Sequence, residues 1–300
     1  MPLVAVVLTF LNEERFLEEA VRSVRDQTLT DWELVLVDDG STDRSTAIAR
    51  DLAAQNNRIR YIDHPRHENR GTSVSRNLGV ARTTAPYIAF IDGDDVWMPG
   101  KLAEQVELLE SMPDVAMVNG AGRYWWSWDP ASTRADQTYL IGGAADRRLD
   151  PPEGALAVRP LGRGATGTVD LLVRRSVFEA VGGFEERFRG MYDDQTLYLK
   201  VFLRYPVYIS SRVWLLYRQH DASCRAHSSP IDTMRVHRVF LDWLKDDIER
   251  LGDARVSAAF RHARRRRQYQ ALKARVPDRF KNPVKRALRR APFRDSVTPG

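Results

Sequence analysis

Asp92, Asp94 and Asp95 stand within four positions at the end of the apolar run Tyr87-Ile88-Ala89-Phe90-Ile91. Such a run reads as a buried strand. Carboxylates clustered at its carboxyl end crowd negative charge, which is costly unless a cation joins them. Hard oxygen ligands in that setting suit Mg²⁺ or Mn²⁺, typically carried by a diphosphate. An acidic turn is the plain alternative for an isolated Asp-x-Asp. A second acidic pair, Asp193-Asp194, opens a helical pattern with Leu197, Val201 and Phe202 on one side. It either complements the helix dipole or supplies a base facing a metal-bound leaving group. His220 follows the strand-like run Val213 to Tyr217, and a lone His serves structure more often than chemistry. Trp125, Trp126 and Trp128 lie close together, either as a core or flap cluster or as a face for a sugar or acceptor.

These residues need a scaffold, and the first 120 residues alternate strand and helix signals. Val4 to Leu8 reads as a strand, with Asn12 as the cap of a helix carrying Phe16, Leu17, Ala20, Val21 and Val24. Leu34 to Val37 is a second strand, after which Ser41 or Thr42 can cap a helix carrying Ile48, Ala49 and Leu52. Arg58 to Ile62 reads as a third strand, Thr72 to Arg82 as a third helix and Tyr87 to Ile91 as a fourth strand. Pro99 then sits where a first helical residue belongs, ahead of Leu102, Val106 and Leu109. Continuous apolar strands separated by helices predict a mostly parallel sheet covered on both faces. Ligands of such sheets bind beyond the carboxyl ends of the strands, where Thr9, Asp39 and Asp92 to Asp95 fall. Residues 120 to 167 read as irregular, Val169 to Val173 as a strand, and Ser176 as the cap of a short helix. Past Pro230 one apolar stripe, Val236, Phe240, Trp243, Leu244, Ile248 and Leu251, predicts a packed helix. Four consecutive arginines, Arg264 to Arg267, cannot all share one helix face.

Composition narrows the class. Three hundred residues suit one large or two modest domains. No apolar run approaches the length of a membrane span and no signal peptide is visible, while the single cysteine, Cys224, excludes an internal disulfide and a thiolate metal cage. A reducing cytoplasm is the expected home. The net charge of +6 hides a division: from Ala254 onward there are fifteen Lys and Arg against two Asp, and the preceding residues carry 31 basic against 38 acidic side chains. An acidic body with a basic tail is two electrostatic objects. In the tail, Val284 and Leu288 are four apart among Lys285, Arg286, Arg289 and Arg290, with Phe293 beyond. That pattern suits docking on the inner face of an anionic membrane or on an acidic partner, with a solvated or self-docking tail as the alternative. No glycine-rich phosphate loop follows the first strand and no Gly-Lys-Ser/Thr exists, which argues against dinucleotide oxidoreductases and P-loop enzymes.

The order and spacing of several short pieces resemble an inverting family 2 glycosyltransferase with the GT-A fold. The pieces are Thr9-Phe10-Leu11-Asn12-Glu13-Glu14, Val37-Asp38-Asp39-Gly40-Ser41-Thr42-Asp43, Arg76-Asn77-Leu78-Gly79 and Ile91-Asp92-Gly93-Asp94-Asp95. They continue with Val181-Gly182-Gly183-Phe184, Tyr192-Asp193-Asp194-Gln195 and Tyr217-Arg218-Gln219-His220. The resemblance implies a GT-A domain over residues 1–223 and a C-terminal helical segment with a basic tail over 224–300. It implies that Thr9, Phe10, Leu11, Glu13, Asp39, Asp92 and Gly93 hold a nucleoside diphosphate sugar, with Arg66 or Arg70 reaching its base or phosphates. Asp94 matches the carboxylate that binds Mg²⁺ or Mn²⁺, His220 a histidine near the metal or diphosphate, and Asp194 the catalytic base. Asp193 stands where the family usually has Glu, beside an acceptor surface to which the three tryptophans could contribute. The Gln-x-x-Arg-Trp of processive polysaccharide synthases is absent, so polymer extrusion is not expected.

The implied reaction moves a sugar to an acceptor hydroxyl with inversion at the anomeric carbon. Two other readings remain beside it: a nucleotidyltransferase of similar fold, opposed by the missing glycine-rich loop, and a non-catalytic nucleotide-sugar binder, opposed by the carboxylates at 92, 94 and 194. A nucleic-acid binder led by its tail is opposed by the acidic body.

Overall fold

A computed structural model describes residues 1–167, 170–220 and 230–275 of the chain. Its strands are β1 Val4–Phe10, β2 Trp32–Asp38, β3 Ile59–Asp63, β4 Tyr87–Asp92, β5 Val96–Trp97, β6 Met117–Trp125, β7 Gln137–Tyr139, β8 Arg147–Leu149, β9 Leu171–Arg174 and β10 Val207–Arg218. The helices are α1 Leu17–Arg25, α2 Ser45–Gln55, α3 Thr72–Val80, α4 Lys101–Ser111, α5 Glu153–Ala157, α6 Arg175–Ala180, α7 Asp193–Phe202, α8 Pro230–Leu251 and α9 Ala254–Arg275.

All the strands join one sheet in the order β3-β2-β1-β4-β9-β6-β10-β5, with β7 on β6 and β8 on β10. β3, β2, β1 and β4 are mutually parallel, as the continuous apolar runs predicted. β9 runs antiparallel to both β4 and β6, and β10 is parallel to β6. Two reversals restore the original direction, so β1, β2, β4, β6 and β10 all end at the same edge. Register sharpens this convergence, for Thr9 lies opposite Asp92, Phe10 opposite Asp38, and Trp125 opposite Arg218.

Side chains alternate between the two faces of the sheet. Val7, Val35, Val37, Ile88 and Phe90 enter one apolar cluster with residues of α6, α7, α8 and α9. Val6, Leu8, Leu34, Leu36 and Ile91 enter another with α1 and α4. Most of the predicted stripe of α8 is used in this way: Phe240, Leu244 and Ile248 are buried in the first cluster with Val236 and Trp243 packed against it, Leu251 is exposed, and Val256, Phe260 and Ala263 of α9 join the cluster. The C-terminal helices therefore share the core of the sheet. Val284, Leu288 and Phe293 of the basic tail, together with Val169 and Cys224, lie outside the described residues.

Several local expectations change. Asn12 does not cap α1, which starts at Leu17. It adopts a left-handed conformation, and its Oδ1 accepts hydrogen bonds from the Thr42 and Asp43 amides, tying the loop after β1 to the loop after β2. α2 begins at Ser45 rather than after Ser41 or Thr42, because Ser41 N–H is taken by the Asp38 carboxylate and Asp43 accepts from Ser45 N–H. α4 starts at Lys101, after Pro99, and α6 at Arg175, ahead of Ser176. Within residues 120–167 the chain is more ordered than its composition suggested, holding most of β6 with β7, β8 and α5.

The Arg76-Asn77-Leu78-Gly79 piece has a packing reason. The Asn77 amide clamps the backbone of Phe184, accepting from its N–H and donating to its carbonyl, both at 3.0 Å. A Cβ on Gly79 would lie 2.4 Å from Val7 Cγ1 and 3.0 Å from Val37 Cγ2, so α3 rests directly on β1 and β2. Since both contacts are buried β-branched side chains without room to shift, Gly79→Ala is expected to destabilise the fold by roughly 1–3 kcal/mol. Urea unfolding would register the loss as a lower midpoint.

Candidate active site

Where the strands end, a cleft of about 1370 Å³ opens. Among the residues singled out in the sequence it is lined by Thr9, Phe10, Leu11, Glu13, Asp39, Asp92, Gly93, Asp94, Trp126, Trp128, Asp193, Asp194 and His220. Arg66, Arg70 and Trp125 are not among its lining residues. Arg66 points into solvent and pairs with Glu68. Arg70 is exposed and contributes its backbone N–H, which donates to Asp39 Oδ1 at 2.7 Å. Asp39 is thus engaged by the loop before α3, accepting also from Gly71 N–H and the Ser75 hydroxyl.

The loop after β4 is held tightly. Gly93 N–H donates to Thr9 O at 2.9 Å, and the Thr9 hydroxyl donates to Asp92 Oδ1. A Cβ at Gly93 would come within 2.7 Å of Phe10 Cβ, so only glycine lets the carboxylate loop lie against the end of β1. Asp94 meets His220, with Nε2 and Oδ2 2.9 Å apart. Glu13 completes the group: one ligand atom from each of Glu13, Asp94 and His220 lies within 4.8 Å of the others. Burial first, and then the charges of Asp94 and Asp92, push the Glu13 carboxyl up to about 9. A divalent cation would relieve that crowding, and a set dominated by carboxylates fits a hard ion. Glu13 therefore stands with the metal-ligand candidates as well as with the nucleotide set. Asp95 points elsewhere, fully buried, accepting from Arg218 N–H.

Two arginines balance the carboxylates. Arg218 is 3% exposed; it donates to Asp94 O and Glu19 Oε2, and its guanidinium sits 4.5 Å from the ring centroids of both Phe16 and Trp125. Arg218 packs against both Trp125 and Trp128, and of these Trp128, together with Trp126, also lines the cleft. Arg76 is equally buried and bridges the two acidic sites, donating to Asp92 Oδ1 at 2.7 Å and to Asp193 Oδ2 at 3.4 Å. It was legible only as part of a motif, with no role attached. Asp194, next in the chain, accepts from Gln195 N–H. Burial and then the adjacent Asp193 raise its carboxyl to about 7, with Arg76 opposing the shift. A carboxylate tuned near neutrality suits a base working at physiological pH.

With this geometry in view, the family model for glycosyl transferase family 2 matches residues 5–161. The chain belongs to that family. It is 44% identical over 95 residues to the uncharacterized glycosyltransferase EpsJ of Bacillus subtilis, a match covering 32% of this chain and 27% of that protein. More widely, the matched segments span 27–43% of the length of such curated relatives. Among solved structures, S. aureus TarS 1-349 in complex with UDP-GlcNAc superposes with a TM-score of 0.62 at 19% identity, over 80% of this chain and 66% of that one. The mannosyltransferase PcManGT from Pyrobaculum calidifontis, in complex with GDP-Man and Mn²⁺, gives 0.54 at 17% identity, over 96% and 80% of the two chains. The fold is therefore GT-A, as the strand pattern and motifs implied.

Arg76 touches both acidic sites, and removing it leaves Asp92 and Asp193 without the buried guanidinium that pairs with them. Arg76→Leu is expected to cost roughly 3–5 kcal/mol in chemical unfolding. Arg76→Lys, which keeps the charge but loses the planar fork, should retain part of that stability.

Proposed function

We propose that this family 2 protein is an inverting glycosyltransferase, moving a sugar from a nucleoside diphosphate sugar to an acceptor hydroxyl with Asp194 as the base. The observation that carries the reading is the pairing of two unlike acidic sites in one cleft. Glu13, Asp94 and His220 form a cation-ready cluster on one side, and Asp194 is raised to about 7 on the other. That two GT-A neighbours are solved with UDP-GlcNAc and with GDP-Man and Mn²⁺ supports a nucleotide-sugar donor.

In this reading Thr9, Phe10, Leu11, Asp39, Asp92 and Gly93 line the donor half of the cleft. Glu13, Asp94 and His220 would hold Mg²⁺ or Mn²⁺, which supplies charge stabilisation to the departing diphosphate. Asp194 takes the proton of the acceptor hydroxyl as its oxygen attacks the anomeric carbon. The bond from that carbon to phosphate oxygen breaks as the new carbon–oxygen bond forms on the opposite face, inverting the centre. Arg76 keeps the base loop in register with the donor loop through its two carboxylate contacts. Trp126 and Trp128 offer flat faces to bound sugar rings.

Asp94→Ala should abolish metal-dependent binding of nucleoside diphosphate while the fold survives. Calorimetry with Mn²⁺ and UDP or GDP checks this, and wild-type affinity in the variant would remove Asp94 from the metal site. Asp194 must be ionised to accept a proton, so turnover should rise with pH through about 7 and fall away below it. Asp194→Asn should lower turnover by ~100-fold or more, erase that pH limb and leave donor binding intact. A pH–rate profile that keeps the limb in Asp194→Asn would place the base elsewhere.

A further inference from the structure

The far half of the cleft is basic, and its arginines have no carboxylate partner among the described residues. Arg266 and Arg267 of α9 line it, joined by Arg159 from the loop after α5 and by His237 of α8. None of the three arginines forms an ion pair with a carboxylate among the described residues. Arg159 makes one long contact to Gly164 O, and Arg267 one to Met234 O, while the Nε of Arg267 is buried without a partner. Unpaired guanidinium groups gathered at a cleft wall gain by meeting an oxyanion, which the planar fork binds in two-pronged fashion.

This group is tied to the base. Tyr192, directly before Asp193, takes a left-handed conformation with its ring stacked on Phe240 at 4.4 Å. Its hydroxyl lies 2.7 Å from His237 Nδ1. Burial, helped by the positive charges of Arg267 and Arg266, keeps His237 below its ordinary pKa. The donor end of the same cleft carries Glu13, Asp39, Asp43, Asp92 and Asp94. An anion would be repelled from that end until a cation is bound there, but is attracted to the end beside the base. Sequence order hid this arrangement: Arg159 and Arg266 are far apart in the chain, and both come to line one cleft in a fold where α5 packs on α9.

We propose that Arg159, Arg266 and Arg267 form an oxyanion subsite that selects acceptors carrying a phosphate or carboxylate near the hydroxyl to be glycosylated. This inference rests on the glycosyltransferase reading, and names the acceptor class for the same cleft.

The test uses the full chain, with the donor half first saturated with Mn²⁺ and UDP or GDP. That first titration examines the donor reading by itself. Glucose 6-phosphate, glucuronate and glucose are then titrated as probes of nearly equal ring shape. The wild type is expected to bind at least one charged sugar tenfold or more tightly than glucose, and whichever is tighter separates phosphate from carboxylate acceptors. In Arg266→Ala/Arg267→Ala the charged sugars should fall to the level of glucose, while Arg266→Lys/Arg267→Lys should keep a preference because the charge persists. Equal affinity for the three sugars in the wild type overturns the proposal. So does a preference that survives the double alanine substitution. Loss of nucleotide affinity in that variant would place the arginines on the donor instead, and also overturns it.

Discussion

Mutual repulsion among carboxylates is the constraint around which this site is organised. Because β1, β2, β4, β6 and β10 all end at one edge, Glu13, Asp39, Asp92, Asp94 and the Asp193-Asp194 pair are brought to a single cleft. Left alone, that convergence would oppose folding. Two buried arginines offset it from within the protein. Arg76 binds Asp92 and Asp193, and Arg218 binds Glu19 and the Asp94 carbonyl. What they leave unbalanced, at Glu13 and Asp94 beside His220, is the part suited to a cation. Stability and readiness for a ligand are thus two sides of the same charge distribution.

The motifs then read as joints rather than labels. Asn12 ties the loop after β1 to the loop after β2. Asn77 ties α3 to Phe184 and Arg76 ties α3 to both acidic sites, so one helix links the end of β4 to α7. Multiply held loops of this kind keep their side chains in position before any ligand arrives. Lys101 and Asp170, fully buried against each other beneath β6 and β9, hold the reversed strand in the same manner away from the cleft.

Polarity along the cleft follows from the placement of α9. The helix is anchored through Val256, Phe260 and Ala263, and this orientation turns Arg266 and Arg267 toward the cleft. Arg264 lies instead near Asp242 of α8. A chain whose body is acidic thus presents a locally basic wall in the cleft that also holds Asp194.

Strand and helix order, the burial of both sheet faces, the carboxylates at 92, 94 and 194 and the place of His220 follow from local pattern and from resemblance. Apolar runs and strand-end acids are set by neighbours in sequence, where hydrophobic periodicity and turn chemistry act. Other features depended on contacts between distant segments. The reversal at β9 returned later strands to the common edge, and Arg76 gained its role only when α3 and α7 met. Arg66 and Arg70 do not line the cleft: the loop carrying them is tied to Asp39 by backbone donation, and Arg66 pairs with Glu68. Arg218 packs on Trp125 and Trp128 alike, yet only Trp128 and Trp126 of the three tryptophans line the cleft. Long-range partners decide where a charged or aromatic side chain points, and no window of sequence contains both members of such a pair.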